Sequence, residues 1–127
     1  MGQQQILLIV LALIIVGAAI VSGIILFGTN AVMANRDSIS AELHTLAAIA
    51  MQYYLKPAEI GGGGNSFTNW LIPEDLDSTI YGRYRATPNN QSVRIIGLGT
   101  EIGDDQSTAV RLTVIITKSD ITMSVQN

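Results

Sequence analysis

The front of this chain contains no ionisable side chain before Arg36, although its 127 residues include seven Lys or Arg and ten Asp or Glu. Within the segment 6–27, sixteen side chains are Ile, Leu, Val or Phe. Leaving that many large apolar side chains in water would cost about 25–50 kcal/mol, at roughly 1.5–3 kcal/mol each. We therefore expect this segment to lie in lipid or against other protein.

The length of the segment suits a membrane span, because about 20 apolar residues cross a bilayer. A cleaved secretory signal would instead begin with basic residues and contain only about 7–15 apolar residues. Here Gln3, Gln4 and Gln5 precede a longer apolar stretch, and we expect that stretch to be retained. The three amides either hydrogen-bond to neighbours at the first helical turn, where backbone N–H groups lack partners, or mark the boundary between lipid and water.

Apolar residues continue beyond the uncharged segment at helical spacing and form one stripe. The members of this stripe are Val32, Ile39, Leu43, Leu46, Ala50 and Tyr53. Charged residues such as Arg36 and Glu42 lie between them, and no proline occurs before Pro57. The pattern predicts one continuous helix from about residue 3 to residue 55, apolar on all sides at the front and amphipathic at the rear.

A glycine-rich connecting loop is predicted over residues 56–78. Pro57 ends the helix, and Gly61–Gly64 would lose too much entropy in a helix or strand. These glycines permit a sharp reversal or a close contact with neighbouring backbone. We expect the apolar residues of the loop to fold back onto the helical stripe: Phe67, Trp70, Leu71 and Ile72.

Residues 79–127 change to a β pattern, rich in β-branched and aromatic residues with near-alternation. Two strands are expected to present one apolar face each, formed by Val110, Leu112, Val114 and Ile116 and by Ile121, Met123 and Val125. Thr87–Gln91 and Lys118–Asp120 have the composition of hairpin connections. We predict an α+β fold in which three or four antiparallel strands pack one face against the helix.

Composition disfavours several classes of function. A net charge of −3 and a pI near 4.8, with scattered basic residues, argue against binding to nucleic acid. Cysteine is absent, so the chain has neither a disulfide framework nor a thiolate metal site. No Lys-Ser/Thr follows Gly61–Gly64, as a phosphate-binding loop would require. Without a nucleophile–base pair or cofactor motif, we expect no enzyme, no cofactor and no small-molecule substrate.

Hard-cation binding by carboxylates is the main alternative for the polar residues. The candidates lie in Glu74–Asp77 and Glu101–Asp105, but neither run has the spacing of an EF-hand loop. We expect solvated loops instead, and a solvated or interface position for His44, the single histidine. Asn90 begins an Asn-Gln-Ser sequon in a predicted turn and is a candidate glycosylation site.

The order of the predicted elements resembles the type IV pilin-like superfamily, which includes pilins and pseudopilins. Residues 1–55 carry the resemblance specifically, and MGQQQILLIVLALIIVG looks like the start of a mature pilin helix. The chain departs from many bacterial pilins at Gln5, where they have Glu, and at Ser22-Gly23, near which they have a proline. It also lacks the C-terminal disulfide loop that many pilins contain.

This resemblance implies a structural subunit of an extracellular filament, or fimbrium. Such a subunit is held in the cytoplasmic membrane and then assembles, through segment 6–27, into a helical polymer of identical copies at the cell surface. The residues expected in the filament core are Gln3, Gln4, Gln5, Ile6, Ile9, Leu13, Ile14, Gly17, Ala18, Ile20, Gly23, Ile24 and Phe27. The alternatives are a single-pass anchored domain that binds a partner without polymerising, and a pseudopilin of a secretion or DNA-uptake machine.

Overall fold

The computed structural model describes residues 2–127 and contains one long helix and one small antiparallel sheet, which confirms the predicted α+β class. The helix, α1, is uninterrupted because its glycines are isolated and each costs only about 1 kcal/mol relative to Ala. A single 3₁₀ turn, Ala58–Ile60, lies in the connecting loop. The elements are α1 (Gly2–Leu55), β1 (Gly82–Pro88), β2 (Ser92–Ile102), β3 (Ala109–Thr117) and β4 (Ile121–Val125).

The chain divides into two compact units. The first unit ends at Ala31, and the second begins at Val32. The first unit consists of the front part of α1. The second, Val32–Asn127, contains the rear part of α1, the connecting loop and the whole sheet. We call it the β domain below.

The sheet of the β domain is a simple meander in which each strand pairs with the next along the chain, in the order β1-β2-β3-β4. All three pairings are antiparallel. Asn89–Gln91 and Lys118–Asp120 form the first and last connections, as their composition predicts. A register shift between Leu98 and Ile102 interrupts the β2–β3 ladder, so the end of β2 leaves the regular alternation.

The core of the β domain lies between the rear of α1 and the inner face of the sheet. Most of the predicted stripe is fully buried there, and Val32 and Tyr53 are partly buried at its ends. The helix approaches β2 closely at Gly99, where an added Cβ would overlap the Asn35 side chain. The buried apolar residues are Ile39, Leu43, Leu46, Ala47, Ala50, Tyr54, Phe67, Trp70, Tyr84, Val93, Ile95, Val110, Leu112, Val114 and Ile116.

The four glycines fold the connecting loop back over the C-terminal end of α1. The last carbonyl groups of an α-helix have no intrahelical partner. Here the Gly63 N–H donates to the Tyr53 carbonyl at 2.7 Å, and the Asn65 N–H donates to the Tyr54 carbonyl at 2.8 Å. Gly61 and Gly64 have φ values of 86° and 57°, which residues with a Cβ rarely adopt. The predicted reversal with close backbone contact is therefore confirmed.

The structure differs from the sequence predictions in three details, and the prediction for Leu71 is wrong. Leu71 is 79% exposed and does not fold back with Phe67 and Trp70, which are buried. Ile121 and Val125 alternate with their neighbours as predicted, but they remain exposed because β4 is a short strand at the sheet edge. Residues 78–81 form only an isolated bridge, Ser78 to Arg83, before β1 begins at Gly82.

Candidate functional site

The uncharged segment of α1 is the most unusual surface of the molecule. Every residue from Gly2 to Asn30 is exposed, including all sixteen large apolar side chains of segment 6–27. Beyond the first helical turn its backbone polar groups bond within the helix, and the Thr29 hydroxyl donates to the Ile25 carbonyl at 3.0 Å. The helix therefore presents hydrocarbon on all sides and needs an apolar environment that its own unit does not supply.

All thirteen residues expected in a filament core lie on this exposed part of α1. Gln3, Gln4 and Gln5 occupy its first turn, which contains no acidic residue. The others are distributed around the helix: Ile6, Ile9, Leu13, Ile14, Gly17, Ala18, Ile20, Gly23, Ile24 and Phe27. By length and composition α1 is suited to crossing a membrane, and it is compatible with insertion into one.

Glycines leave the backbone of the apolar segment uncovered by side chains at three positions. No atom lies within 4 Å of the position that a Cβ would take at Gly17, Gly23 or Gly28. Around the last two, Ile20, Ile24 and Phe27 border a shallow apolar groove. Small residues of this kind let the backbone of another helix approach closely, which strengthens van der Waals packing in the absence of water.

Asn35 is the polar centre at the start of the β domain. Its side chain is only 7% exposed, donates to the Tyr81 carbonyl at 3.0 Å and to the Thr100 hydroxyl at 3.3 Å, and accepts from the N–H groups of Thr100 and Glu101. The sequence interpretation missed it. The signal was present, because position 35 falls between Val32 and Ile39 at the spacing of the buried stripe.

A second polar contact joins the helix to the sheet at Glu42. Its carboxylate accepts hydrogen bonds from the Tyr84 phenol and, at 2.8 Å, from the Thr79 hydroxyl. Burial of Tyr84, followed by its contact with the Glu42 carboxylate, raises the pKa of the phenol well above its usual value. Sequence analysis noted Glu42 only as a charged residue between the stripe positions and did not predict this contact.

The acidic run Glu101–Asp105 is held by contacts within the protein. Asp104 forms an ion pair with Arg36 at 2.7 Å. Asp105 accepts hydrogen bonds from the Thr108 hydroxyl and from the backbone N–H groups of Thr108 and Ser107, and these bonds lower the pKa of its carboxyl. Over residues 2–127 no group of three His, Asp or Glu side chains is arranged to hold a metal ion.

The two remaining candidates lie on the surface. His44 is exposed on α1, and Glu42, two residues away, faces the sheet. Asn90 is exposed in the β1–β2 connection, and its carbonyl accepts from the Phe67 N–H at 3.3 Å. An enzyme acting on Asn90 would find the side chain accessible, but glycosylation at this site stays a prediction.

Comparison with known proteins gives no assignment: no family model matches this chain, and neither a curated protein nor a solved structure matches it. The apolar segment and the domain that continues it are therefore the features from which a function can be inferred.

Proposed function

We propose that this protein is the structural subunit of an extracellular filament of the type IV pilus kind, polymerising through the apolar segment 6–27. One observation carries the proposal: α1 is uncharged, apolar on all sides and fully exposed up to Asn30, yet it continues as one helix into the core of a folded domain. Exposure of the sixteen large side chains to water would cost about 25–50 kcal/mol. The segment must therefore be surrounded by lipid or by other protein.

The proposed assembly exchanges one apolar environment for another. Before assembly segment 6–27 lies in the cytoplasmic membrane, where its length matches the hydrocarbon thickness. In the filament the same side chains pack against copies of themselves, with close approach at Gly17 and Gly23. A head-to-tail contact between identical copies, repeated by one operator whose rotation does not close, gives a helical polymer. The β domains then lie outside the core, at the cell surface.

The main competing function is a single-pass anchored domain that binds a partner and never polymerises. A tethered binding domain is usually separated from its anchor by a flexible linker rich in Gly, Ser or Pro. Here residues 28–31 remain helical, and no such linker separates the apolar segment from the β domain. That continuity favours a filament subunit over a tethered binding domain. A pseudopilin would share this feature, and it differs from the leading proposal in where the polymer is found.

Electron microscopy of material sheared from cells tests the proposal directly. We expect uniform fibres that an antibody against the β domain decorates along their length. Recovery of the protein only as monomers from detergent-extracted membranes would instead support the anchored domain. Polymers confined to the cell envelope would favour a pseudopilin.

A charge in the middle of the apolar segment provides the second test. Ile14→Asp should abolish fibres, because an unpaired carboxylate at the centre of an apolar helix costs about 2.5–3.5 kcal/mol even where lipid adapts to it. Ile14→Leu is the control for packing, and Ser119→Asp adds the same charge at an exposed turn of the β domain; both should assemble normally. The amount of each variant in the membrane fraction separates failed insertion from failed assembly. Normal filaments from Ile14→Asp would contradict the proposal.

A further inference from the structure

The outer face of the sheet, on the side away from α1, carries positive charges and no negative ones. Alternation from the buried inner residues shows which side chains lie on that face. We call the following eleven of them the arginine face: Arg83, Arg85, Thr87, Arg94, Ile96, Leu98, Arg111, Thr113, Ile115, Thr122 and Ser124. It holds four of the seven basic residues of the chain and none of the ten acidic ones. Because the whole chain has a net charge of −3, everything outside this face carries −7.

The four arginines extend across three neighbouring strands and are all exposed. Cross-strand pairing sets Arg83 opposite Leu98, and Leu98 opposite Arg111, in one row. In the part of the chain that the structure describes, the one ion pair is Arg36–Asp104, so no carboxylate neutralises this face within the molecule. Unpaired like charges at this spacing repel one another, and a negatively charged partner would relieve that repulsion.

The arginine face also contains features of a contact surface rather than of a purely solvated one. Ile96, Leu98 and Ile115 lie between the arginines and are only partly buried. Thr113, at the centre, is 4% exposed, and its hydroxyl has no hydrogen-bond partner among residues 2–127. A buried hydroxyl without a partner carries a desolvation cost that an incoming acceptor would remove.

A matching negative surface occurs in the connecting loop of the same chain. Glu74, Asp75 and Asp77 are three carboxylates within four residues, and all three are exposed. The loop is fixed to the edge of its own sheet, because the Tyr84 N–H donates to the Asp77 carbonyl at 2.8 Å and Ser78 bridges to Arg83. Held at that edge, its carboxylates form no ion pair with the arginines of their own sheet in the described range.

We infer that the arginine face of one copy docks onto the acidic loop, Glu74–Asp77, of a second copy. This contact rests on the proposed filament and specifies how its β domains meet. It joins two different surfaces, so it is heterologous and can repeat without closing. Subunits of net charge −3 repel one another in a polymer. The proposed contact reduces this repulsion, because it brings the positive surface of one copy against the negative surface of the next.

Charge reversal on each surface, and then on both, tests this contact in the full-length chain. The face variant is Arg85→Glu with Arg94→Glu, and the loop variant is Glu74→Lys with Asp75→Lys. Two controls make the same changes in net charge at exposed positions elsewhere: Lys56→Glu with Lys118→Glu, and Glu59→Lys with Glu101→Lys. The readout is the ratio of subunit in sheared fibres to subunit left in the membrane fraction. Thermal melting of each detergent-solubilised variant confirms that it still folds.

We expect each double variant to lower that ratio about tenfold, as the loss of two partly screened ion pairs would. The variant with all four substitutions should recover most of the loss, whereas the two controls should match the parent protein. Raising the salt concentration to about 1 M, where charges are screened within roughly 3 Å, should weaken parent fibres. In each double variant it should instead relieve part of the loss, because the reversed charges face like charges.

Other outcomes would overturn the inference in distinguishable ways. If the parent assembles and the double variants assemble equally well, the contact is wrong and the filament proposal stands. If both double variants fail and their combination does not recover, the two surfaces do not meet each other. If the parent forms no fibres, the proposed function and this contact fail together.

Discussion

Tyr84 of β1 donates a hydrogen bond from its phenol to the carboxylate of Glu42 on α1, and so joins the sheet to the helix across the interior of the β domain. Tyr84 is only 4% exposed, and the Thr79 hydroxyl donates to the same carboxylate oxygen at 2.8 Å. Two donors therefore meet at one oxygen of Glu42, and the Tyr84 phenol must keep its proton in order to donate.

This arrangement predicts a loss of stability at alkaline pH. The pKa of Tyr84 is raised in the folded protein above the unfolded value of about 10, first by burial and then by the Glu42 carboxylate. Because the folded protein holds this proton more tightly than the unfolded chain, the proton adds to the free energy of unfolding. That contribution is complete below about pH 10 and is lost as the pH rises further. Tyr84→Phe should remove this part of the pH dependence. When the parent protein is titrated with base, the tyrosinate absorbance should include one tyrosine that ionises at higher pH than the others. If that high-pH step persists in Tyr84→Phe, it does not belong to Tyr84.

At neutral pH the same substitution should cost about 1–2 kcal/mol of unfolding free energy, because the Glu42 carboxylate loses one donor and keeps Thr79. Thr79→Val with Tyr84→Phe should cost more than the sum of the single variants, since the carboxylate would then lose both. Denaturant unfolding of the detergent-solubilised chain measures these differences. Strict additivity of the two substitutions would show that the donors act independently.

Asn35→Leu should destabilise the β domain by about 2–4 kcal/mol. The substitution removes the amide that bonds to the Tyr81 carbonyl and to the N–H groups of Thr100 and Glu101. Each unpaired backbone group costs up to about 1–3 kcal/mol. Tyr81, Thr100 and Glu101 are exposed residues, so water offsets part of the combined cost. Ser38→Ala is a suitable control, because its hydroxyl bonds only to the Ala34 carbonyl of its own helix. If Asn35→Leu left the unfolding midpoint unchanged, water must replace the amide.

The fold was predictable from the sequence where local patterns decide it. Absence of proline and the spacing from Val32 to Tyr53 predicted the helix, and the alternation from Val110 to Ile116 predicted the inner face of β3. The Glu42–Tyr84 contact was not predictable in this way, because its two residues are 42 positions apart and meet only through the register between α1 and β1. Leu71 illustrates the same limit: hydrophobicity alone does not tell which apolar loop residue is buried.

The same distinction applies to the candidate site. The apolar segment 6–27 was recognisable from composition, since no arrangement within so small a chain could bury it. The arginine face was not, because its four arginines are scattered in sequence and are brought together only by the register of β1, β2 and β3. The net charge of −3 gives no indication of a positively charged face, because it sums all charges of the chain.

Gly63→Ala should destabilise the protein more than Gly61→Ala. A Cβ at position 63 would overlap the Ser66 carbonyl and crowd the Tyr53 ring, so backbone must move and the 2.7 Å bond to the Tyr53 carbonyl is strained. A Cβ at position 61 meets no atom within 4 Å and suffers only from the φ of 86°. We expect a cost of about 1–2 kcal/mol for Gly61→Ala and about 3 kcal/mol for Gly63→Ala. Equal unfolding midpoints for the two variants would contradict this ordering.

The accessibility of the apolar segment in purified fibres follows from the proposed assembly. The chain contains no cysteine, so Ile14→Cys and Ser119→Cys each introduce a single thiol. A water-soluble maleimide should label Ser119→Cys in intact fibres at least about ten times faster than Ile14→Cys, because a thiol inside a dry helical core is reached only through rare opening. After denaturation in detergent both thiols should react alike. A phosphorus assay on the same fibres should detect no phospholipid. Rapid labelling at position 14, or stoichiometric lipid in the fibres, would show that the segment is not buried among its own copies.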